Sequence, residues 1–223
     1  MSAQDYLRAA LAVAQRAAET QVPALQAAAT AVADTMQRGN RFWVFGSGHS
    51  HLLAEELWGR AGGLVDVHPI LEPALMLHEG LEKSSRLERL PGLAAEILEI
   101  HGVSEGDCLL VVSNSGRNAV PVEMARGGKA RGATVIALTS LAHSRSVTSR
   151  APDGSRLFEV ADIVIDNCGE PGDAIMPHEP YPLAPTSTVI GALLLQAMMY
   201  EVVLDLERRG VEARTYESLN VGA

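Results

Sequence analysis

Cys108-Leu-Leu-Val-Val112 is a continuous apolar run. It is followed at once by the polar turn Ser113-Asn-Ser-Gly-Arg-Asn118 and then by a helical pattern over Ala119–Arg131. An uninterrupted apolar run of this length reads as a strand buried on both faces, as in a parallel sheet. A similar unit lies upstream: Arg41-Phe-Trp-Val-Phe45 is aromatic and β-branched, Gly46-Ser-Gly-His-Ser50 follows, and a helical pattern runs on to Ala61. Leu64-Val-Asp-Val67, Thr134–Leu138 and Ile163-Val-Ile165 read as the remaining strands. Strands alternating with helices predict an α/β fold, a doubly wound and mostly parallel five-stranded sheet with helices on both faces.

Outside these units the sequence is helical or irregular. Residues 3–38 are alanine-rich, with Pro23 suited to a helix first turn, so they form two helices or one kinked helix. Residues 1–38 are therefore read as an N-terminal helical extension to one domain over 39–223. Ala74–His78 and Leu93–His101 are helical pieces, 140–157 is a polar loop, and 166–185 is a long proline-rich loop. A last helix spans Thr186–Arg208. Its apolar part is too short to span a bilayer comfortably and reads as a buried core helix.

Composition narrows the function classes. The 223 residues carry 18 Lys+Arg against 27 Asp+Glu, a net charge of −9. A chain of that balance lacks the basic face that a nucleic acid or an anionic membrane requires. The two cysteines, Cys108 and Cys168, fit no metal spacing and no disulfide framework, and Cys108 opens a core strand. The N-terminus lacks the apolar region of a signal peptide. The expectation is a cytoplasmic protein without cofactor or metal.

Chemistry concentrates in the two turns after strands. Ser47, Gly48, His49 and Ser50 lie in the first, and Ser113, Asn114, Ser115, Gly116 and Asn118 in the second. At the carboxyl ends of parallel strands such turns present backbone N–H groups, hydroxyls and a helix N-terminus to one crevice, which suits a phosphate. The plainer alternative is two capped helix starts, since Ser and Asn are favoured N-caps. A dinucleotide fingerprint is a poorer match. Gly46-Ser-Gly48 opens one and Asp66 lies 20 residues on, but His51 holds the third glycine position.

Taken with Ala184-Pro-Thr-Ser-Thr188 before the last helix, these loops resemble those of SIS (sugar isomerase) domain proteins over roughly residues 35–208. More narrowly, the chain resembles small single-SIS proteins related to phosphoheptose isomerases and N-acetylmuramic acid 6-phosphate etherases. The resemblance implies that the Ser113 loop holds the phosphate of a phosphosugar, with Asn118 where a Thr is common. It also implies a homodimer or homotetramer, with the N-terminal helices at an interface.

Chemistry on such a sugar begins with removal of the C2 proton by a carboxylate or imidazole. Glu55-Glu-Leu-Trp-Gly-Arg60 resembles the phosphoheptose isomerase segment that carries a catalytic glutamate, which implies that role for Glu56, about one helical turn closer to the glycine loop here. Helical spacing sets Leu53, Ala54, Leu57, Trp58 and Ala61 on the buried face, with Glu55 and Glu56 flanking it. Resemblance to isomerases of the arabinose phosphate type implies His78 or Glu79 as base or partner. Phosphoheptose isomerases carry a His–Glu pair on the last helix, where this chain has the apolar run Gly191–Tyr200 with Gln196. That departure favours elimination from an N-acetylhexosamine 6-phosphate. Aldose–ketose isomerisation and a non-catalytic phosphosugar sensor are the alternatives.

Overall fold

The computed structural model describes residues 2–221. Five parallel strands form the sheet: β1 (Phe42–Gly46), β2 (Val67–Ile70), β3 (Cys108–Val112), β4 (Thr134–Thr139) and β5 (Ile163–Asp166), in the order β2-β1-β3-β4-β5. Alternate side chains of the central strands feed two cores. Phe42, Val44, Cys108, Leu110 and Val112 enter one, and Trp43, Phe45, Leu109 and Val111 enter the other. Burial raises the Cys108 thiol well above the ordinary range, so it is inert packing.

The first core is covered by α2 (Val22–Gln37), α3 (His51–Leu57) and α9 (Ser187–Arg208), and α1 (Ala3–Thr20) lies against α9. The second is covered by α5 (Leu93–His101), α6 (Ala119–Ala130) and α8 (Leu157–Val160). This is the doubly wound α/β arrangement that the alternating pattern predicts. Pro23 stands in the first turn of α2 and separates it from α1, so the N-terminal segment is two helices. α9 is long and apolar enough, by length and composition, to cross a membrane. In this fold Ile190, Leu194, Met198, Val202 and Leu206 bury one of its faces.

Several boundaries differ from expectation. The second strand lies three residues later than Leu64–Val67, because Val67 is the residue that pairs with Phe42 of β1. Leu64 and Val65 instead meet the C-terminal segment, with Val65 N–H donating to the Arg214 carbonyl at 2.9 Å. Pro69 is tolerated because β2 is an edge strand. α3 stops at Leu57, where Trp58 turns extended, so Trp58 and Ala61 are exposed rather than buried. Ala74–His78 is two 3-10 turns, Pro73–Leu75 and Leu77–Glu79, followed by an unanticipated α4 (Leu81–Leu87). The polar 140–157 stretch contains α7 (Leu141–Ser146), and the proline-rich stretch contains an antiparallel hairpin of β6 (Ala174–Met176) and β7 (Leu183–Pro185).

Candidate functional site

In this strand order the chain leaves β1 toward β2 on one side and leaves β3 toward β4 on the other. The loops after β1 and β3 therefore part at a switch point and open a crevice at the carboxyl end of the sheet. Both loops require glycine. A Cβ on Gly46 would stand 2.3 Å from the Ser50 carbonyl oxygen, so only glycine lets the first loop fold back on its strand. Gly116 has φ +56°, and a Cβ there would meet Leu157 at 3.1 Å.

The second loop is fixed from behind and open in front. Ser113 Oγ accepts from Gly116 N–H at 3.2 Å. The Asn114 carbonyl accepts from Ser140 N–H at 3.0 Å and Thr139 Oγ1 at 3.1 Å. Asn167 Nδ2 donates to Asn114 Oδ1 at 2.9 Å. The N–H groups of Asn114, Ser115, Arg117 and Asn118 have no acceptor among the described residues. Arg117 Nε is buried without a partner as well.

Asn118 precedes α6, yet its side chain does not cap that helix. It donates to Glu88 Oε1 at 2.5 Å and accepts from Arg150 Nη1 at 3.0 Å. Ser47 of the first loop donates to Glu88 Oε2 at 2.9 Å. Glu88 thus ties the two loops together. Burial raises its carboxyl above the ordinary range, opposed by the Ser47 hydrogen bond and by the charges of Arg89 and Arg150. The plain capping alternative does not describe either loop, since neither Ser47, Ser50 nor Asn118 makes a side-chain cap.

A cleft of about 270 Å³ lies between the loops. Ser47, Gly48, His49, Ser50, Ser113, Asn114, Ser115 and Asn118 all line it, with Gly116 buried behind. Four polar side chains missed in the sequence complete it: Ser84, Ser85, Glu88 and His143. The first three recur at helical spacing along and just beyond α4, a signal that could have been read had that helix been recognised. A second cavity, of about 220 Å³, shares His49, Ser50 and Asn114 and adds Leu53, Asn167, Asp173, Ser187 and Thr188. Asp173 accepts from Thr186 N–H at 3.1 Å and Ser187 N–H at 2.8 Å, capping α9 from a distance. A third cavity, of about 480 Å³, shares Leu53 and Thr188 with the second and holds Glu55, Glu56 and Arg60. The three form one trough across the carboxyl edge of the sheet.

Of the candidate bases, Glu56 lies in these cavities and His78 and Glu79 lie outside them. Glu56 lies in the third cavity rather than between the loops, paired with Arg60 and hydrogen-bonded by Gln196 Nε2 of α9 at 2.9 Å. His78 and Glu79 lie on an exposed 3-10 turn, and neither lines the cleft, although their neighbour Leu77 does. Glu79 is 3.0 Å from Lys83, whose hydrogen bond holds its carboxyl below the usual range. The His78 ring stands 6.2 Å from that of His51, which is buried and donates through Nδ1 to the Gly48 carbonyl.

The SIS domain family description matches residues 5–140. A phosphoheptose isomerase from Francisella tularensis superposes with a TM-score of 0.61 at 18% identity, covering 92% of this chain and all of that one (100%). The Vibrio vulnificus NanR protein complexed with ManNAc-6P superposes with a TM-score of 0.56 at 18% identity, covering 93% of this chain and 64% of that one. At these identities the likeness is one of fold. A UPF0309 protein of Halalkalibacterium halodurans is 46% identical over 220 residues, covering 97% of this chain and 90% of the relative. A UPF0309 protein of Brucella anthropi is 45% identical over 184 residues, covering 82% and 74%. The chain belongs to the SIS domain family and, within it, to the UPF0309 proteins.

Proposed function

We propose that this protein binds a phosphosugar in the switch-point trough and acts on it as an enzyme of the isomerase or lyase type. The convergence of two glycine–serine loops on one cleft, with four backbone N–H groups of the second loop left without an acceptor among the described residues, carries the reading. The Ser113 loop and the N-terminus of α6 hold the phosphate, whose charge is favoured there by the free donors and the helix dipole. The sugar runs past His49 and Ser50 toward Leu53 and Thr188, the residues shared by successive cavities.

The Glu56 carboxylate, at the far end of this path, removes the C2 proton. Where C2 bears a hydroxyl, the resulting enolate takes a proton at C1 while the 2-hydroxyl proton passes to the C1 oxygen, completing aldose–ketose isomerisation; in the elimination branch it expels the C3 substituent, whose oxygen takes up a proton as it leaves. α9 offers Gln196 to Glu56 and lacks a His–Glu pair there, which favours elimination from an N-acetylhexosamine 6-phosphate. The stripe of exposed apolar residues on α1 and α9 fits a homo-oligomer.

The test is proton NMR of the full chain with N-acetylglucosamine 6-phosphate in D2O. Loss of the C2 proton signal is expected, together with a vinyl signal for elimination; ketose signals from an aldose 6-phosphate that carries a free 2-hydroxyl would mark isomerisation instead. Glu56→Gln should abolish the exchange while binding persists. Thermal stabilisation by the sugar phosphate without exchange would replace the enzyme reading with a sensor. Neither exchange nor stabilisation, with this compound and with a panel of aldose phosphates, would overturn the reading.

A further inference from the structure

His143 lies in the stretch that reads as a loop in the sequence, beyond the residues matched by the family description. α7 carries it into the cleft between the loops, where it stands with Ser115 and Asn118 among the lining residues. Its backbone is fixed by a hydrogen bond from its own N–H to Ser140 Oγ at 3.1 Å. Its ring is fixed by the segment that leads to β6, where the Gly172 N–H donates to His143 Nδ1 at 3.3 Å.

That bond decides the state of the ring. A backbone N–H can only donate, so Nδ1 is the acceptor nitrogen and the single ring proton is on Nε2. Protonation to imidazolium would set Nδ1–H against Gly172 N–H. The charges around the ring divide, with Asp173 favouring the imidazolium and Arg117 opposing it. Burial, acting in the same direction as Arg117, outweighs Asp173 and keeps the ring below its ordinary range. The cleft's other ionisable members are Glu88, already engaged by Ser47 and Asn118, and His49 on the first loop. The Nε2–H of His143 has no acceptor among the described residues.

Resting on the phosphosugar reading above, we propose that His143 is a ligand-contacting residue that donates its Nε2–H, as a neutral imidazole, to an oxygen of the bound sugar phosphate. A neutral donor suits a site whose other donors are backbone N–H groups and serine hydroxyls. It grips an anion at neutral pH without having to hold a proton that burial disfavours.

Long-range proton–nitrogen correlation on the 15N-labelled full chain tests this, together with titration by N-acetylglucosamine 6-phosphate and by inorganic phosphate. At pH 7 the free protein should show His143 protonated at Nε2 alone, and ligand should shift that nitrogen along with the Ser115 and Asn118 amides. His143→Gln, which keeps a donor, should hold near wild-type affinity, whereas His143→Leu should lose about tenfold, as expected for one hydrogen bond to a charged acceptor. Proton on Nδ1 or an imidazolium at pH 7 would overturn the proposal. So would movement of the loop amides with His143 Nε2 unmoved and His143→Leu binding as well as wild type, a result that leaves the phosphosugar reading standing. Loop amides that respond to neither compound would remove the phosphosugar reading and this proposal with it.

Discussion

Glu88 is an acid set between two loops that otherwise offer donors to an anion. Its raised carboxyl means that the folded protein holds this proton more tightly than the unfolded chain does. Stability contributed by the protonated form is therefore present in acid and is lost as pH rises from the ordinary glutamate range through the raised folded one. Glu88→Gln removes that loss. Its amide oxygen can face Asn118 Nδ2 while its NH2 faces the Ser47 hydroxyl, which can also accept. Urea denaturation at pH 4 and pH 7 should show Glu88→Gln at least as stable as wild type at pH 7, with the advantage shrinking toward pH 4. Glu88→Ala should cost about 1–3 kcal/mol, because it leaves two part-buried donors without an acceptor. At Gly46 the argument is steric, since a methyl 2.3 Å from the Ser50 carbonyl forces the whole first loop to move. Gly46→Ala should destabilise by about 1–3 kcal/mol, and phosphosugar binding, followed by calorimetry, should be lost with the loop's geometry.

Among the elements, α9 depends on a cap from Asp173 at the open end of the β6–β7 hairpin, where β6 begins beside the end of β7. Asp173 has φ +73° and receives both Thr186 and Ser187 N–H groups. Asp173→Asn keeps the accepting oxygen and a residue type that tolerates the left-handed region. Asp173→Ala loses the cap and should cost about 1–2 kcal/mol in denaturant unfolding, with Asp173→Asn close to wild type. This hairpin marks where the sequence stops being legible. β1, β3 and β4 announce themselves because a strand buried on both faces needs an unbroken apolar run, the edge strand β5 by its short run Ile163-Val-Ile165, and Leu93–His101 because its apolar positions recur at helical spacing. β2 misleads because Leu64 and Val65 are apolar for a different reason, their contact with the C-terminal segment. The hairpin strands are three residues each, too short to show a period. The two loops are readable in the sequence because local backbone geometry demands their glycines. Glu88, Asn167 and His143 are not, since tertiary packing brings them to the loops from elements tens of residues away. Glu56 shows the reverse: the Glu-Glu-Leu-Trp-Gly-Arg segment is plain to read, yet a two-turn α3 leaves its carboxylate one cavity away from the loops.

At the scale of the whole molecule, the doubly wound sheet gathers the loops from one chain but leaves one flank bare. On that flank Leu7 and Leu11 of α1 are 58% and 68% exposed, and Val189, Leu193 and Tyr200 of α9 are 54%, 51% and 65% exposed. These α9 positions share one face, opposite the side buried against α2, and α1 packs beside them. Water is a poor neighbour for exposed apolar residues on two helices packed side by side, and a second copy presenting the same residues satisfies them by two-fold symmetry. Sedimentation of wild type should therefore show a dimer or larger. Leu11→Glu with Leu193→Glu should yield a monomer, because two carboxylates per subunit would be buried against each other. The same variant separates binding from turnover. The loop residues that line the cleft lie together on one chain, so the monomer should still be stabilised by N-acetylglucosamine 6-phosphate. The Glu56 cavity is lined by exposed Leu52 and by Ala192 of α9, the helix that carries Val189 and Leu193. Turnover should accordingly fall in the monomer while binding holds. A variant that sediments as a monomer and turns over at the wild-type rate would show that one chain contains the whole machinery.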